Sequence, residues 1–455
     1  MRSCLKVRKI LDSGLSKLAF DTFRLASLTL IGRVTAALLG LVVSIIIAQS
    51  YGAEMTGFLG VVGAAVLIVA YPAAFGFQTA VLRIIPEYKT KYKNYPFRRL
   101  FNIILLFILL LGLVGFTVFI LFEDVWSDYL RLGDLEVPGF KLLIGTLILS
   151  KAVLLMSTSA LRSFGFNKLF ALFQLFTPLT NLCFLALLMP VIDVLSPIYS
   201  LTISFLVPAT FSVLFINSRR SLISSPDRAH PIAIREILKI SFPMMITGYI
   251  GILASEVGVF FLGASASMRE VGLYVVALKL SFITALVLKS INAVISPRIS
   301  ELYFSGDIDR MFAFCRLITF SSTVFALFVL AVFFCFGENF LAYAFGDEFR
   351  EASLILNILL GAQLINAISG STGDLMQMTG SERRHRDIMF FGAGVHLLAT
   401  ILLVPTLGGI GIAIALVLAE VIWNGVALVF IFQKFRQLPL IRMSELILYR
   451  QTFSR

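Results

Sequence analysis

The chain has 455 residues, 58% of them hydrophobic and only 14% charged, and its 38 Lys and Arg outnumber 26 Asp and Glu for a formal net charge of +12. Such a composition excludes an ordinary soluble protein of two or three domains and marks an integral membrane protein. The excess positive charge sits in short loops between apolar runs, where it acts as a topology signal, so nucleic acid is not expected as a partner.

The N-terminus carries Arg2, Lys6, Arg8 and Lys9, and the first long apolar run begins near Leu25. No small-residue cleavage site follows it, so it reads as a retained span and not a removed signal peptide. A membrane crossing needs about 20 mainly apolar residues. Twelve runs meet that need: 25–49, 57–82, 100–122, 140–162, 169–190, 195–217, 238–262, 271–296, 313–336, 351–373, 387–405 and 408–432. The loops between them alternate in charge. One set holds Lys89, Lys91, Lys93, Arg98 and Arg99, then Arg162 and Lys168, Arg219 and Arg220, Arg298 and Arg310, and Arg383, Arg384 and Arg386. The opposite set has few basic residues, mainly Arg131, Lys141, Arg269 and Arg350, and contains Glu123, Asp124, Asp128, Asp134, Glu136, Asp347 and Glu348. The positive-inside rule then places both termini in the cytoplasm, which requires an even number of crossings.

A constant shift of 215 residues lays the first half on the second without gaps. It matches Gly57 to Gly272, Arg83 to Arg298, Tyr88 to Tyr303, Phe97 to Phe312, Gly165 to Gly380, Lys168 to Arg383 and Pro190 to Pro405. Matches at equivalent loop and helix-end positions point to a duplicated unit, a mark of secondary transporters. The expected architecture is therefore all-α, with twelve transmembrane helices in two six-helix lobes, 1–218 and 238–437. Six is even, so both lobes enter from the same side and a pseudo-twofold axis along the membrane normal relates them. A charged, proline-containing cytoplasmic linker, 219–237, joins them. The tail, 438–455, reads either as a short interfacial helix or as a loose polar end.

Charges inside the spans are the first candidates for function, because each costs roughly 2.5–3.5 kcal/mol on insertion scales. The cations are Arg33, Lys151, Lys279 and Lys289, and the other titratable groups are Glu256, Glu420 and His396. At about 1.5 Å per residue Lys151 lies near mid-membrane, and Lys279 and Lys289 project within about 80° of each other. A ladder of positive charge along a cavity suits a phosphate or diphosphate, which basic side chains meet with charge-assisted contacts. Blander readings stand beside it: Glu256 neutralising Lys279 across one hairpin, and Lys289 snorkelling to the surface. For His396 and Glu420 the choices are a proton-responsive pair or a structural hydrogen bond. Pro72, Pro178, Pro208 and Pro243 are placed to kink spans, and Gly32, Gly40, Gly60 and Gly63 to let helices approach. The four cysteines, Cys4, Cys183, Cys315 and Cys335, make neither CxxC nor metal spacing, and three are expected as small buried hydrophobes. No HExxH, GxSxG or Walker pattern occurs, so no cofactor and no catalytic constellation are expected.

The stretch AQSYGAEMTGFLGVV after the first span resembles the glycine and acid signature of bacterial polysaccharide and O-antigen flippases, in the multidrug, oligosaccharidyl-lipid and polysaccharide exporter superfamily. LNILLGAQLINAISGSTGDLMQMTGSERRHRD and LLVPTLGGIGIAIALVLAEVIWNGV are similar to that family's C-terminal region. The resemblance implies a central cavity open alternately to each side of the inner membrane. The implied substrate is an oligosaccharide on a polyprenyl diphosphate, held by cations and surrounded by membrane lipids. A glycan polymerase and a chain-length regulator are the implied protein partners. Related peptidoglycan-precursor flippases carry basic residues on the first and eighth helices, where Arg33 and Lys279 fall here. Three rival readings remain: a cation-coupled multidrug exporter of the same superfamily, which prefers buried acids in its first lobe; a membrane glycan ligase or glycosyltransferase, which needs a sizeable outer loop such as 123–139; and a structural scaffold, which requires no charges at depth.

Overall fold

The computed structural model describes residues 2–91, 97–121, 139–219 and 234–440, with side chains from residue 31 onward apart from 89–91, 167, 254, 286–295 and 297. Most of the linker, the loop at 123–138, the tail beyond 440 and the side chain of Lys289 thus lie outside the described residues. Within them the chain is all-helical, with no strand. In order the helices are α1 (Arg2–Ala73), α2 (Phe77–Lys91), α3 (Phe97–Leu121), α4 (Phe140–Ser163), α5 (Asn167–Ile192) and α6 (Ser196–Ser218). Then follow α7 (Ile234–Ser265), α8 (Met268–Phe304), α9 (Ile308–Phe345), α10 (Ala352–Ser369), α11 (Thr372–Met378) and α12 (Glu382–Phe435).

Eight helical stretches among the described residues are long and apolar enough to cross a membrane. Three of them, Ile31–Tyr88, Lys168–Ser218 and Glu382–Phe435, run 58, 51 and 54 residues. At 1.5 Å per residue each would extend about 75–90 Å, more than twice the roughly 30 Å hydrocarbon core. Each is interrupted. Gly52 (φ 76°) bends α1, Asp193 (φ 39°) follows α5, and Gly408 (φ 53°) bends α12. Large apolar side chains such as Leu110, Val114, Phe328, Phe334 and Leu402 are exposed along these helices. In water such faces are a liability, whereas lipid covers them without cost. The protein is a multi-pass membrane protein.

The helix bounds repeat at the same spacing as the residues. Adding 215 to α4, α5 and α6 gives 355–378, 382–407 and 411–433. Those ranges fall on α10 with α11, on α12 before its bend, and on α12 after it. Left-handed backbone recurs with them: Gly165 (φ 93°) and Gly380 (φ 76°) turn the chain before α5 and α12, and Asp193 and Gly408 break it at the next matched position. Two expected runs are not single helices. The run at 57–82 is broken between α1 and α2, where Phe75 (φ 48°) and Gly76 (φ 71°) form a turn. The run at 351–373 is broken at Gly370 (φ 74°), whose missing Cβ makes room for the Thr319 hydroxyl.

The chain forms two compact units, one drawn from Met1–Val43, Val69–Phe122 and Val137–Gly248, the other from Ser44–Ile68, Glu123–Glu136 and Tyr249–Arg455. In the first, Ile84, Ile108, Leu147, Met156, Leu161 and Ile198 are fully buried. Phe75, Phe77, Phe107 and Phe242 form a ring cluster there. In the second, Phe312, Met311, Ile299, Leu375 and Ile431 build a core of their own.

Within that second unit α1 meets α8 backbone to backbone. A Cβ on Gly57 would collide with the Met268 carbonyl, and one on Gly272 with the Ala53 carbonyl. Ala53 and Gly57 are the residues 215 positions before Met268 and Gly272, so the two contacts are reciprocal. Gly60 likewise faces its own counterpart, with 2.6 Å between its Cβ position and Val275 Cγ2. Of the other glycines expected at helix contacts, Gly32 approaches Ala171, while Gly40 and Gly63 have nothing within 4 Å. Among the described cysteines Cys315 alone is buried, and Cys183 and Cys335 are exposed on apolar helix faces. Apolar surroundings suit a thiol equally well in lipid, which is why burial was not required.

Candidate functional site

In the first unit the site grows from close packing of α4 and α6. Small residues at the interface, Ser150, Ala152, Ser157 and Ala160 on α4 with Ser204, Ala209 and Ser212 on α6, are buried. The Ser157 and Ser212 hydroxyls bond at 2.6 Å. This approach, of the small-residue kind common in membrane bundles, sets Lys151 Nζ over the Phe205 ring, 4.3 Å from its centroid. A cation over an aromatic face is stabilised by the ring quadrupole.

On its other side Lys151 opens onto α5. Lys151, Thr158, Phe170, Phe173, Gln174 and Thr177 line a cavity of about 180 Å³. One turn beyond Thr158, Arg162 is exposed and lies 5.7 Å from the Phe170 ring. Arg33 is exposed on α1 beside Gly32, which packs on Ala171 of α5. It sits within electrostatic reach of Arg162. Two like charges brought near each other on apolar helices form a place where an anion relieves repulsion. Arg33 thus neighbours Arg162 near one end of α4, and Lys151 lies eleven residues back along that helix, about 16 Å away. The structure adds Arg162, which the sequence had placed among loop charges.

In the second unit Lys279 on α8 is exposed, and its Nζ donates a 2.8 Å hydrogen bond to the buried Ser44 hydroxyl of α1. Among the described residues no ion pair joins Lys279 to Glu256. The Glu256 carboxylate accepts from its neighbour Ser255 at 3.2 Å. Lys279 and Glu256 therefore do not neutralise each other. Glu420 and His396 are both buried on α12, at 7% and 6% exposure. One carboxylate oxygen of Glu420 accepts from Trp423 Nε1 and from Asn424 Nδ2, each at 2.8 Å. Asn424 is tied in turn to the Thr372 hydroxyl at the start of α11. Arg316 on α9, also passed over because it stands at the edge of its apolar run, is buried at 6% exposure.

Away from these groups, two glutamates cap helix breaks. Glu348 Oε1 accepts from the Ala53 amide at 2.6 Å, just after Gly52. Glu270 Oε1 accepts from the Gly409 amide at 2.9 Å, just after Gly408. Arg269 pairs with Glu351 at 2.9 Å and reaches Glu348 at 3.9 Å. Its hydrogen bonding to Glu351 raises the guanidinium above its ordinary range. Among the described residues no group of three or more His, Cys, Asp or Glu is arranged to hold a metal ion.

Comparison with known proteins adds kinship to this geometry. Residues 24–303 match the model of a family described as polysaccharide biosynthesis protein. The chain belongs to that family. It is 24% identical over 378 residues to the probable low-salt glycan biosynthesis flippase Agl15 of Haloferax volcanii, covering 82% of this chain and 75% of that one. Among solved structures it resembles the lipid II flippase MurJ in an inward closed conformation, with a TM-score of 0.69 at 14% identity, over 89% of this chain and 87% of that chain. It also resembles an inward-facing multidrug resistance MATE family transporter of the MOP superfamily, with a TM-score of 0.66 at 15% identity, over 88% of this chain and 97% of that chain. At such identities the likeness establishes the fold alone.

Proposed function

We propose that this protein is an alternating-access flippase that carries a polyprenyl-diphosphate-linked oligosaccharide, such as an O-antigen or exopolysaccharide repeat unit, across the bacterial inner membrane. Twelve crossings in two duplicated six-helix lobes, with both termini cytoplasmic, form the machine. The 215-residue recurrence of helix bounds, of left-handed turns and of the reciprocal Ala53–Gly57 and Met268–Gly272 contacts supports the duplication. Arg33, Lys151, Lys279 and Lys289 hold the anionic headgroup, joined by Arg162. Binding shifts the balance between inward-open and outward-open states by its differential affinity for the two.

Lys279 is the observation that carries this reading. A lysine inside an apolar helix is costly, and here a neutral hydroxyl is its hydrogen-bond partner and, among the described residues, no carboxylate pairs with it. A charge maintained at that cost is suited to an anion that comes and goes. Family membership and the glycan flippase relative support a glycan as the cargo.

Deleting the gene tests the proposal. Surface glycan is expected to disappear while the lipid-linked unit accumulates on the cytoplasmic leaflet. Normal surface glycan in a strain without a paralogue would overturn it, and loss of drug resistance with glycan intact would favour the exporter reading.

A further inference from the structure

In the first unit, the start of α3, the turn from α4 to α5 and the end of α6 are gathered into one basic collar. Arg98 Nε donates to Asn217 Oδ1 at 3.2 Å, which joins α3 to α6. The Phe97 and Phe164 rings, 6.0 Å apart, join α3 to the turn, and Phe166 and Phe215, 5.6 Å apart, join the turn to α6. Arg219 lies 4.1 Å from the Phe215 centroid and 5.9 Å from that of Phe166. Arg99, Lys168 and Arg219 are exposed. No Asp or Glu occurs in 97–121, 139–192 or 196–219, and among the described residues no carboxylate pairs with any of the three.

The second unit shows that the fold does not require charge left so open. At the shift of 215 residues Lys434 stands for Arg219, and its ammonium donates to the Thr379 carbonyl at 2.8 Å and the Ser381 hydroxyl at 2.9 Å. Thr379 and Ser381 stand in turn for Phe164 and Phe166, and Ala313 and Phe314 for Arg98 and Arg99. Two further cations of that unit, Arg298 and Arg386, are paired with Glu301 and Asp387. Polar partners within the second unit thus satisfy its cations, whereas rings hold Arg219 of the first and leave its donors to an outside acceptor.

The residues one turn inward say what that acceptor is. Leu172 on α5 and Leu214 on α6 are 57% and 62% exposed, on faces that acyl chains cover. Lys168 and Arg219 stand four and five residues beyond them, about 6–8 Å at 1.5 Å per residue, a step from hydrocarbon to headgroup. We propose that this collar is a binding site for an anionic phospholipid: Arg99, Lys168 and Arg219 take the phosphodiester, and the apolar faces of α5 and α6 take the chains. Guanidinium groups meet phosphate oxygens with charge-assisted, two-pronged bonds, and basic pockets between membrane helices suit such headgroups.

Thermal unfolding of the full-length protein in neutral detergent, titrated with short-chain phosphatidylglycerol, tests this, because a ligand of the folded state raises the melting temperature. Phosphatidylglycerol is expected to stabilise where phosphatidylcholine does not, and less so as salt is raised. Arg99→Gln, Lys168→Gln and Arg219→Gln should each weaken the apparent affinity about fivefold, one surface charge apiece. The triple variant should lose the preference for phosphatidylglycerol while melting like the parent without lipid. Arg386→Gln, whose charge Asp387 already balances, should stay within about twofold of the parent. Equal stabilisation by phosphatidylcholine, or unchanged affinity in the triple variant, would overturn the site. Equal protection by inorganic phosphate or by a polyglutamate peptide would overturn the lipid as its occupant, in favour of a free phosphate or an acidic protein. No glycan enters the measurement, so the site stands or falls apart from the proposed cargo.

Discussion

At Gly57 and Gly272 two backbones touch where any side chain would intrude on a carbonyl oxygen of the other segment. Gly272→Ala should therefore destabilise the protein by about 1–3 kcal/mol, the range of an overpacked core. Gly40→Ala and Gly63→Ala, with open space at the Cβ position, should be neutral or stabilise by up to about 1 kcal/mol through helix propensity. Thermal unfolding in detergent separates the two classes, and equal shifts would dismiss the seam. Individual residues were unevenly legible in the sequence. Arg33, Lys151 and Lys279 stood out because charge interrupts an apolar run. Gln174 and Asn181 did not, because uncharged polar residues lower hydropathy too little to be noticed, and only the burial of their carbonyl oxygens without donors reveals them. Arg162 was legible as charge but was assigned to a loop, since its contact with Phe170 depends on how α4 and α5 pack.

Among the helices, breaks matter as much as lengths. Gly52 and Gly408 each leave a following amide without a helical partner, and Glu348 and Glu270 accept from those amides at 2.6 and 2.9 Å. This is N-capping supplied from a distant segment, and removing such a cap costs about 0.5–2 kcal/mol. Glu348→Ala and Glu270→Ala should each lower thermal stability by that amount, whereas Glu348→Gln should retain most of it, because an amide oxygen still accepts. An alanine variant as stable as the parent would contradict the capping role. Helix positions were legible from hydropathy, and the 215-residue register from matched residues such as Gly165 and Gly380. The breaks at Phe75–Gly76 and at Gly370 were hidden. Apolar residues continue on both sides of each, and the cause, such as the Thr319 hydroxyl beside Gly370, comes from another helix.

For the whole molecule, each unit carries cations set in apolar helices: Arg33, Lys151 and Arg162 in one, Lys279 in the other. An anionic headgroup that meets such charges away from bulk water interacts more strongly than it would in solution, since low dielectric magnifies the attraction. On the proposed function the lipid tail needs no site, being at home in the bilayer. Reconstitution in proteoliposomes tests this most directly, using a fluorescent polyprenyl-diphosphate oligosaccharide whose sugar is modified only when it reaches the outer leaflet. Wild-type vesicles should expose nearly all of the lipid to the added reagent, and Lys279→Glu vesicles only about the half that starts outside, with equal protein in both. Full exposure with Lys279→Glu, or half exposure with the wild type, would contradict translocation by a cationic site.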